Sequence, residues 1–345
     1  MNGIPGKIRK TLAGFLVLMA LPAGMAQTLS LVSARDQIEG SFVTPQSVYA
    51  DQRYVYLASA QGKLFILERS VARDFPLVAT IDVSSAPLTA VRGDDQAIFV
   101  SSADGSLYVF SKVQPFPLLN TLTLSPFGLN ALAVRQKQGG SDFLISHGQA
   151  RLAANEQRVY LSELNEGEVG VRLDRNTFAI LQEYGLKFES GTVVFDRVSG
   201  ARIGAVPNPY DLLGRPAQVA LYVDGQVLFQ TTPGCCGRGV RVYDSSLRLV
   251  RFFNRPSTNT VALSGDKRWL VAGNENGTVD IFDWKSSTQL AASVNLRELM
   301  GYSGSEAVEI RSLWVEGNWI FAASSRGNDS NQSPSLPALF VLRIQ

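Results

Sequence analysis

Trp269-Leu-Val-Ala-Gly-Asn-Glu-Asn-Gly-Thr-Val-Asp-Ile-Phe282 holds two apolar runs of strand length, separated by a polar turn that ends in Asn276-Gly277. Branched and aromatic side chains suit a pleated surface, and Asn-Gly tolerates the positive φ angles of a tight hairpin. The plan returns in Tyr54-Val-Tyr-Leu-Ala-Ser-Ala-Gln-Gly-Lys-Leu-Phe-Ile-Leu67 and in Ala97-Ile-Phe-Val-Ser-Ser-Ala-Asp-Gly-Ser-Leu-Tyr-Val-Phe110. Six copies lie along the chain. One such unit cannot bury both of its faces, so repeated units must stack on one another, which predicts an all-β propeller of four-stranded antiparallel blades.

The Gly that opens each third strand gives the markers Gly62, Gly105, Gly191, Gly239 and Gly277, and the second interval is twice the first. A weaker blade is therefore expected between Leu129 and about Leu164. Its second strand is read in Asp142 to His147, and its third in either Ala150 to Ala154 or Val159 to Leu164. The next blade draws on Glu168 to Phe195, and the count becomes seven. Innermost strands are predicted near Ser47 to Ala50, Thr89 to Arg92, Ala131 to Arg135, Val219 to Val223, Val261 to Ser264 and Arg311 to Val315. A short helix is expected near Leu296 to Met300. The final blade, with Trp319 to Ser324 and Ala338 to Ile344, lacks an outer strand, and Thr28 to Ser33 is positioned to supply it and close the ring.

The chain has 345 residues, of which 45% are hydrophobic and 18% charged, a balance that favours one large packed domain over disorder. Lys and Arg total 32 against 30 Asp and Glu, scattered rather than clustered, so no nucleic-acid footprint is expected. Lys7, Arg9 and Lys10 precede the apolar run Leu12 to Leu21, and Gly24-Met25-Ala26 follows. These features read as a secretory signal peptide over 1–26, cut after Ala26, leaving a propeller domain over 27–345. The run is too short for a membrane span, so the mature protein is expected to be periplasmic or extracellular, without a transmembrane segment, and monomeric.

The segments Gly191-Thr-Val-Val-Phe-Asp196, Gly239-Val-Arg-Val-Tyr-Asp244 and Gly277-Thr-Val-Asp-Ile-Phe-Asp283 resemble the third-strand signature of WD-repeat, YVTN and quinoprotein-like propellers. The Gly-His and Trp-Asp pairs of WD repeats are missing. What the resemblance implies is a rigid ring whose loops bind partners or ligands, while fold alone selects no function.

Cys235 and Cys236 are the only cysteines, adjacent in a Gly-flanked turn. In an oxidising compartment they predict a strained vicinal disulfide, with reduced thiols, metal binding or an intermolecular bridge as alternatives. Quinoprotein alcohol dehydrogenases carry such a pair beneath a quinone. However, those rings repeat a Trp-docking motif, whereas Trp269, Trp284, Trp314 and Trp319 crowd the last two blades and read as core. His147 is the sole histidine, so neither a multi-His metal centre nor a serine-hydrolase triad is expected. Lactonases of YVTN-like architecture use carboxylates or metal, for which Asp174, Asp224, Asp266 and Glu316 are candidates, though each also fits a hairpin turn. Asn276, Asn328 and Asn331 begin glycosylation sequons that also read as turn and loop residues.

The entry ends of the innermost strands carry Gln46, Thr89, Asn130, Gln218, Asn259 and Arg311, polar groups that converge on the axis and could hold a small ligand or a peptide. They could equally form the rim of a water-filled channel. The expectation is an exported, non-catalytic scaffold for a protein partner, without cofactor or catalytic metal. A lactonase-like hydrolase or a quinone-dependent oxidoreductase is the alternative.

Overall fold

A computed structural model describes residues 27–345 apart from 36, 39–40, 70–73, 127, 138–139, 148–149, 163–167, 170, 174–178, 181–183, 186–190, 208–218, 233–237, 256, 301–307 and 327–337. The signal peptide read over 1–26 lies outside the described residues, as do Asp174, Gln218, Cys235, Cys236, Asn328 and Asn331. What is described is almost wholly β-structure. The one helix, Leu296–Leu299, is capped by Asn295, whose side chain accepts from Arg297 N.

Antiparallel sheets follow one another around an axis. Their innermost strands are Pro45–Ala50, Leu88–Gly93, Leu129–Lys137, Arg151–Ala154, Leu221–Asp224, Thr260–Gly265 and Val308–Glu316. Each packs beside the next, and Val308–Glu316 returns to Pro45–Ala50. In the last sheet Leu29–Arg35 lies outside Leu339–Ile344, in register from Leu29↔Ile344 to Arg35↔Leu339, so strands from both ends of the described chain share one sheet.

The expectation of seven blades is corrected: the propeller has six complete four-stranded blades. The third sheet in order is a long hairpin, Leu129–Lys137 with Gly140–His147, extended only by the fragments Val171–Leu173 and Ala179–Ile180. Nor are the third and fourth sheets laid down in succession. Arg151–Ala154 and Arg158–Ser162, which overlap the two segments read in sequence as alternatives for the third blade's third strand, are the inner strands of the fourth, and Gly191–Asp196 and Arg202–Pro207 complete it. The doubled Gly interval thus holds two interleaved sheets. Between Leu161 and Gly191 the sequence lacks two six-residue runs of strand character like those that finish the other blades.

Each sheet is apolar on both faces because both are covered. Val55, Leu57 and Phe65 of the first sheet pack against Phe321, Leu339 and Val341 of the last, and Tyr56, Leu64 and Ile66 pack against Val91, Ile98 and Val100 of the second. Of these, Val55, Leu57, Tyr56 and Val100 are wholly buried, each contributing about 1.5–3 kcal/mol by leaving water. Trp269 belongs to the core between the sixth and last sheets, and Trp284, Trp314 and Trp319 pack partly buried against neighbouring clusters, in keeping with a packing role for all four.

Two local devices repeat. Between the first and second strands, Asp51, Asp94, Asn155 and Asp266 each accept, through Oδ1, the backbone N–H groups two and three residues on, at 2.7–2.9 Å. This side-chain mimic of a turn satisfies two amides that the ladder cannot reach. Between the second and third strands, Gly62, Gly105 and Gly277 adopt φ of 76°, 85° and 78°. The Gly62 carbonyl then accepts from Val83 N and Ser84 N at 3.0 and 3.2 Å, pinning the outer strand's end.

That closeness leaves no room at Gly62: a Cβ there would sit 1.8 Å from Ser84 O, whereas at Gly225, with φ of 56°, nothing lies within 4 Å. Gly62→Ala is expected to destabilise the fold by more than about 3 kcal/mol, through backbone displacement as well as strain, and Gly225→Ala by only about 1 kcal/mol. Chemical denaturation checks the contrast, and equal losses would refute the close-contact argument.

Candidate functional site at the mouth of the ring

Five innermost strands share an irregularity near their entry end. The register slips between Pro45 and Ser47, Leu88 and Ala90, Leu129 and Ala131, Thr260 and Ala262, and Ile310 and Ser312. Each slip leaves one residue unpaired, a bulge that re-aims its side chain. The bulged residues are Gln46, Thr89, Asn130, Val261 and Arg311.

Four of the residues read from sequence as a rim, Gln46, Thr89, Asn130 and Arg311, are therefore brought to equivalent positions. Asn259 is not: the bulge of its sheet falls on Val261, and Asn259 precedes the strand, where its Nδ2 donates to Glu275 Oε2 at 3.0 Å. Thr89 Oγ1 lies 2.9 Å from Ser101 Oγ. Asn130 Nδ2 donates to Ala150 O at 2.7 Å, which fixes the chain immediately before Arg151. The Arg311 guanidinium lies 2.8 Å from the Glu309 carboxylate, with about 40% of its side chain exposed.

Sequence reasoning missed Arg151. It opens the innermost strand of the fourth sheet and is half-buried, and both desolvation and the positive charge of Arg311 hold its guanidinium below the ordinary arginine range. The signal was present, since Arg151-Leu-Ala-Ala-Asn155 has the strand-then-Asx-turn pattern that ends in Asp51, Asp94 and Asp266 elsewhere.

Below the mouth, seryl hydroxyls tie the inner strands together. Ser47 Oγ accepts from Val91 N, Ser312 Oγ from Val48 N and Ser264 Oγ from Val315 N, at 3.1–3.2 Å. Backbone amides on the free inner edge are thereby satisfied by the adjacent sheet.

The opposite end of the ring carries a cluster of cations and rings. The Arg92 guanidinium donates to Ser47 Oγ, Val48 O and Val91 O and lies 5.4 Å from the Trp314 ring centre; burial lowers its pKa to about 10, against the favourable influence of Tyr49. Tyr49 meets Trp314 edge-on at 4.8 Å, and burial with nearby Asp51 pushes its phenol well above the usual range. Lys112 Nζ reaches Asp51 Oδ2 at 2.6 Å and lies 5.2 Å from the Tyr49 ring centre.

Two of the carboxylates considered for lactonase-like chemistry are held in structural contacts. Asp266 accepts two turn amides, and Glu316 pairs with Arg69. Asp224 sits at the end of its strand, where burial raises its carboxyl above the ordinary value. His147 ends the strand Gly140–His147. Among the described residues, no three His, Cys, Asp or Glu side chains are grouped as a metal site, and no helix is long and apolar enough to cross a membrane.

Six complete four-stranded sheets set around an axis, with a foreshortened one among them, define a β-propeller. Among solved structures the chain is similar to the computationally designed protein Ika8, with a TM-score of 0.59 over 90% of this chain and 100% of that one, at 14% identity. A likeness at that identity establishes the fold alone. No protein-family model and no curated protein matches the chain.

The Asp51 pair yields a pH test. Burial alone would raise this carboxyl, but the bond from Lys112 and the N–H groups of Tyr54 and Arg53 outweigh it and hold it below the ordinary carboxylate range. A depressed folded-state value stabilises the protein above the unfolded carboxyl value of about 3.9, and the contribution is lost as pH falls through the folded value. Asp51→Asn is thus expected to lower stability by about 2 kcal/mol at pH 7. Denaturation series from pH 7 to pH 3 should show the gap to wild type narrowing below about pH 4. A gap independent of pH would contradict the assignment.

Proposed function

We propose that the protein is an exported propeller that binds a protein partner through the mouth at which its innermost strands begin. The observation that carries this reading is the repetition of one bulge, with Gln46, Thr89, Asn130 and Arg311 at equivalent places around the axis. A bulge weakens pairing within its own sheet, and repeating it with polar side chains suits contact with something outside the ring. The resemblance of Gly191 to Asp196, Gly239 to Asp244 and Gly277 to Asp283 to WD-repeat and YVTN-like strands supports the same role, as does the leader read over 1–26.

The two ends of the ring make opposite demands on the chain. At the far end, the connections between first and second strands are tight, and the turns centred on Asp51, Asp94, Asn155 and Asp266 spend their polar groups on their own amides. At the mouth, the bulged residues occupy strand ends where side chains of different chemistry replace one another without altering the ladder.

A photocrosslinking residue placed at Gln46 or Thr89, with Asp95 in the opposite turn as control, tests the assignment in the exported fraction of the native host. One partner captured from the Gln46 and Thr89 positions and not from Asp95 is the expected result. Capture of the same partner from Asp95 alone, or of none from any position, would reject binding at the mouth.

A further inference from the structure

Each complete sheet begins at the mouth, so its turns between first and second strands and between third and fourth strands lie at the far end of the ring. Every large apolar residue that stands exposed among the described residues is found there. Leu118 and Leu119 open the outer strand of the second sheet and Leu249 and Val250 that of the fifth, while Ile203 and Leu290 stand within the first two positions of the outer strand in the fourth and sixth. Val113 and Val198 occupy turns that lead into two of these strands. A second bulge underlies the pattern: these outer strands slip in register after their first residue, which leaves Leu119, Ile203 and Val250 unpaired and 59%, 44% and 57% exposed. Single exposed apolar side chains are ordinary on a protein surface, but their confinement to one level of a ring is not.

We propose that this apolar rim seats the far end of the ring on an anionic lipid surface, leaving the mouth turned away from it. The points lie on the second, fourth, fifth and sixth sheets, around much of the circumference. A protein partner would have to match separate patches on both sides of the axis, whereas a bilayer meets them together because it is flat and fluid. Charge selects the lipid. At the far end of the fifth and sixth sheets Arg248, Lys267, Arg268 and Lys285 are exposed, but Asp224, Asp244, Asp266 and Asp283 are half-buried. Asp244, Asp266 and Asp283 direct Oδ1 at turn amides, and Asp224 buries Oδ2. Arg248 and Arg268 reach Asp244 and Asp283 at 3.1 Å, exposed pairs that contribute little and can exchange for a lipid phosphate. Lys267 and Lys285 make no ion pair among the described residues, and Lys285 Nζ lies 5.1 Å from the Trp284 ring centre.

The start of the chain supports the same orientation. Thr28 N donates to Gln345 O, and Ile344 N donates to Asn318 O in the turn between the last sheet's first two strands, so Gln27 emerges at the far end. The leader read over 1–26, with its apolar run Leu12 to Leu21, therefore joins the ring on the side of the rim. Once the leader is cut off, the rim keeps that side against the bilayer.

Cosedimentation of the mature chain with vesicles of phosphatidylglycerol and phosphatidylcholine in equal parts, compared with phosphatidylcholine alone, provides the test. Binding is expected to the anionic vesicles, about 10-fold weaker to the neutral ones, and weaker as salt is raised. The pairs Leu118→Ser with Leu119→Ser and Leu249→Ser with Val250→Ser are exposed and stand on opposite sides of the axis, and each should cost about 10-fold. Lys267→Glu with Lys285→Glu should cost about as much, on anionic vesicles alone, while Lys63→Glu, at the mouth end, should cost nothing. Thermal melts report the folding of each variant. The lipid surface would be overturned by absence of cosedimentation, by loss from only one apolar pair or from neither, or by equal losses from Lys63→Glu and the far-end lysines. A wild-type dimer in sedimentation equilibrium that either apolar pair dissolves would overturn it too, since a second copy would then cover the rim. None of these variants touches Gln46, so failure here leaves the reading of the mouth intact.

Discussion

The seam between Leu29–Arg35 and Leu339–Ile344 is the interaction on which the other sheets depend. A sheet in this ring has no core of its own; it is apolar on both faces and is stable only between two neighbours. Without the outer strand the last sheet would present Leu339–Ile344 as an unpaired edge, and the cluster that includes Phe321, Leu339 and Val341 together with Val55 and Leu57 would be poorly fixed. Reciprocal bonds between Thr28 and Gln345 extend the seam by one residue, and Gln345 Nε2 donates to Ser30 Oγ at 2.9 Å. Closure therefore depends on main-chain pairing along the outside of the ring as well as on burial within it.

Much of this was legible because propeller strands are short, apolar and separated by turns with their own chemistry. Gly62, Gly105 and Gly277 stand where positive φ is required, and they mark the third strands for that reason. The predicted inner segments Ser47 to Ala50, Thr89 to Arg92 and Val261 to Ser264 lie within observed strands, and the helix begins at Leu296 as expected. The third and fourth sheets escaped the reading because periodicity assumes that neighbours in sequence are neighbours in a sheet. Arg151–Ala154 and Val171–Leu173 break that assumption in opposite directions.

The site was partly legible for a related reason. A polar residue near the entry end of an inner strand can be recognised by its place before an apolar run, which identified Gln46, Thr89, Asn130 and Arg311. The bulge itself has no sequence signature here, so Asn259 was chosen where the slip falls on Val261. Arg151 was hidden by its assignment to the wrong sheet. The charge of Arg311 reaches it only once the ring is closed, because the two are 160 residues apart in sequence.

The interleaving has a consequence for the order in which the structure can form. On a growing chain, most blades can be completed as soon as their fourth strand emerges. The hairpin Leu129–His147 must wait, because the fragments that extend it follow Arg158–Ser162, and that strand in turn waits for Gly191–Asp196. Neither sheet is finished before the other has begun, so the stretch from Leu129 to Pro207 forms as a single cooperative unit rather than as two successive ones. A break or permutation point between Ser162 and Val171 would therefore divide two sheets at once, whereas one between Asp82 and Leu88 would fall between sheets and divide neither.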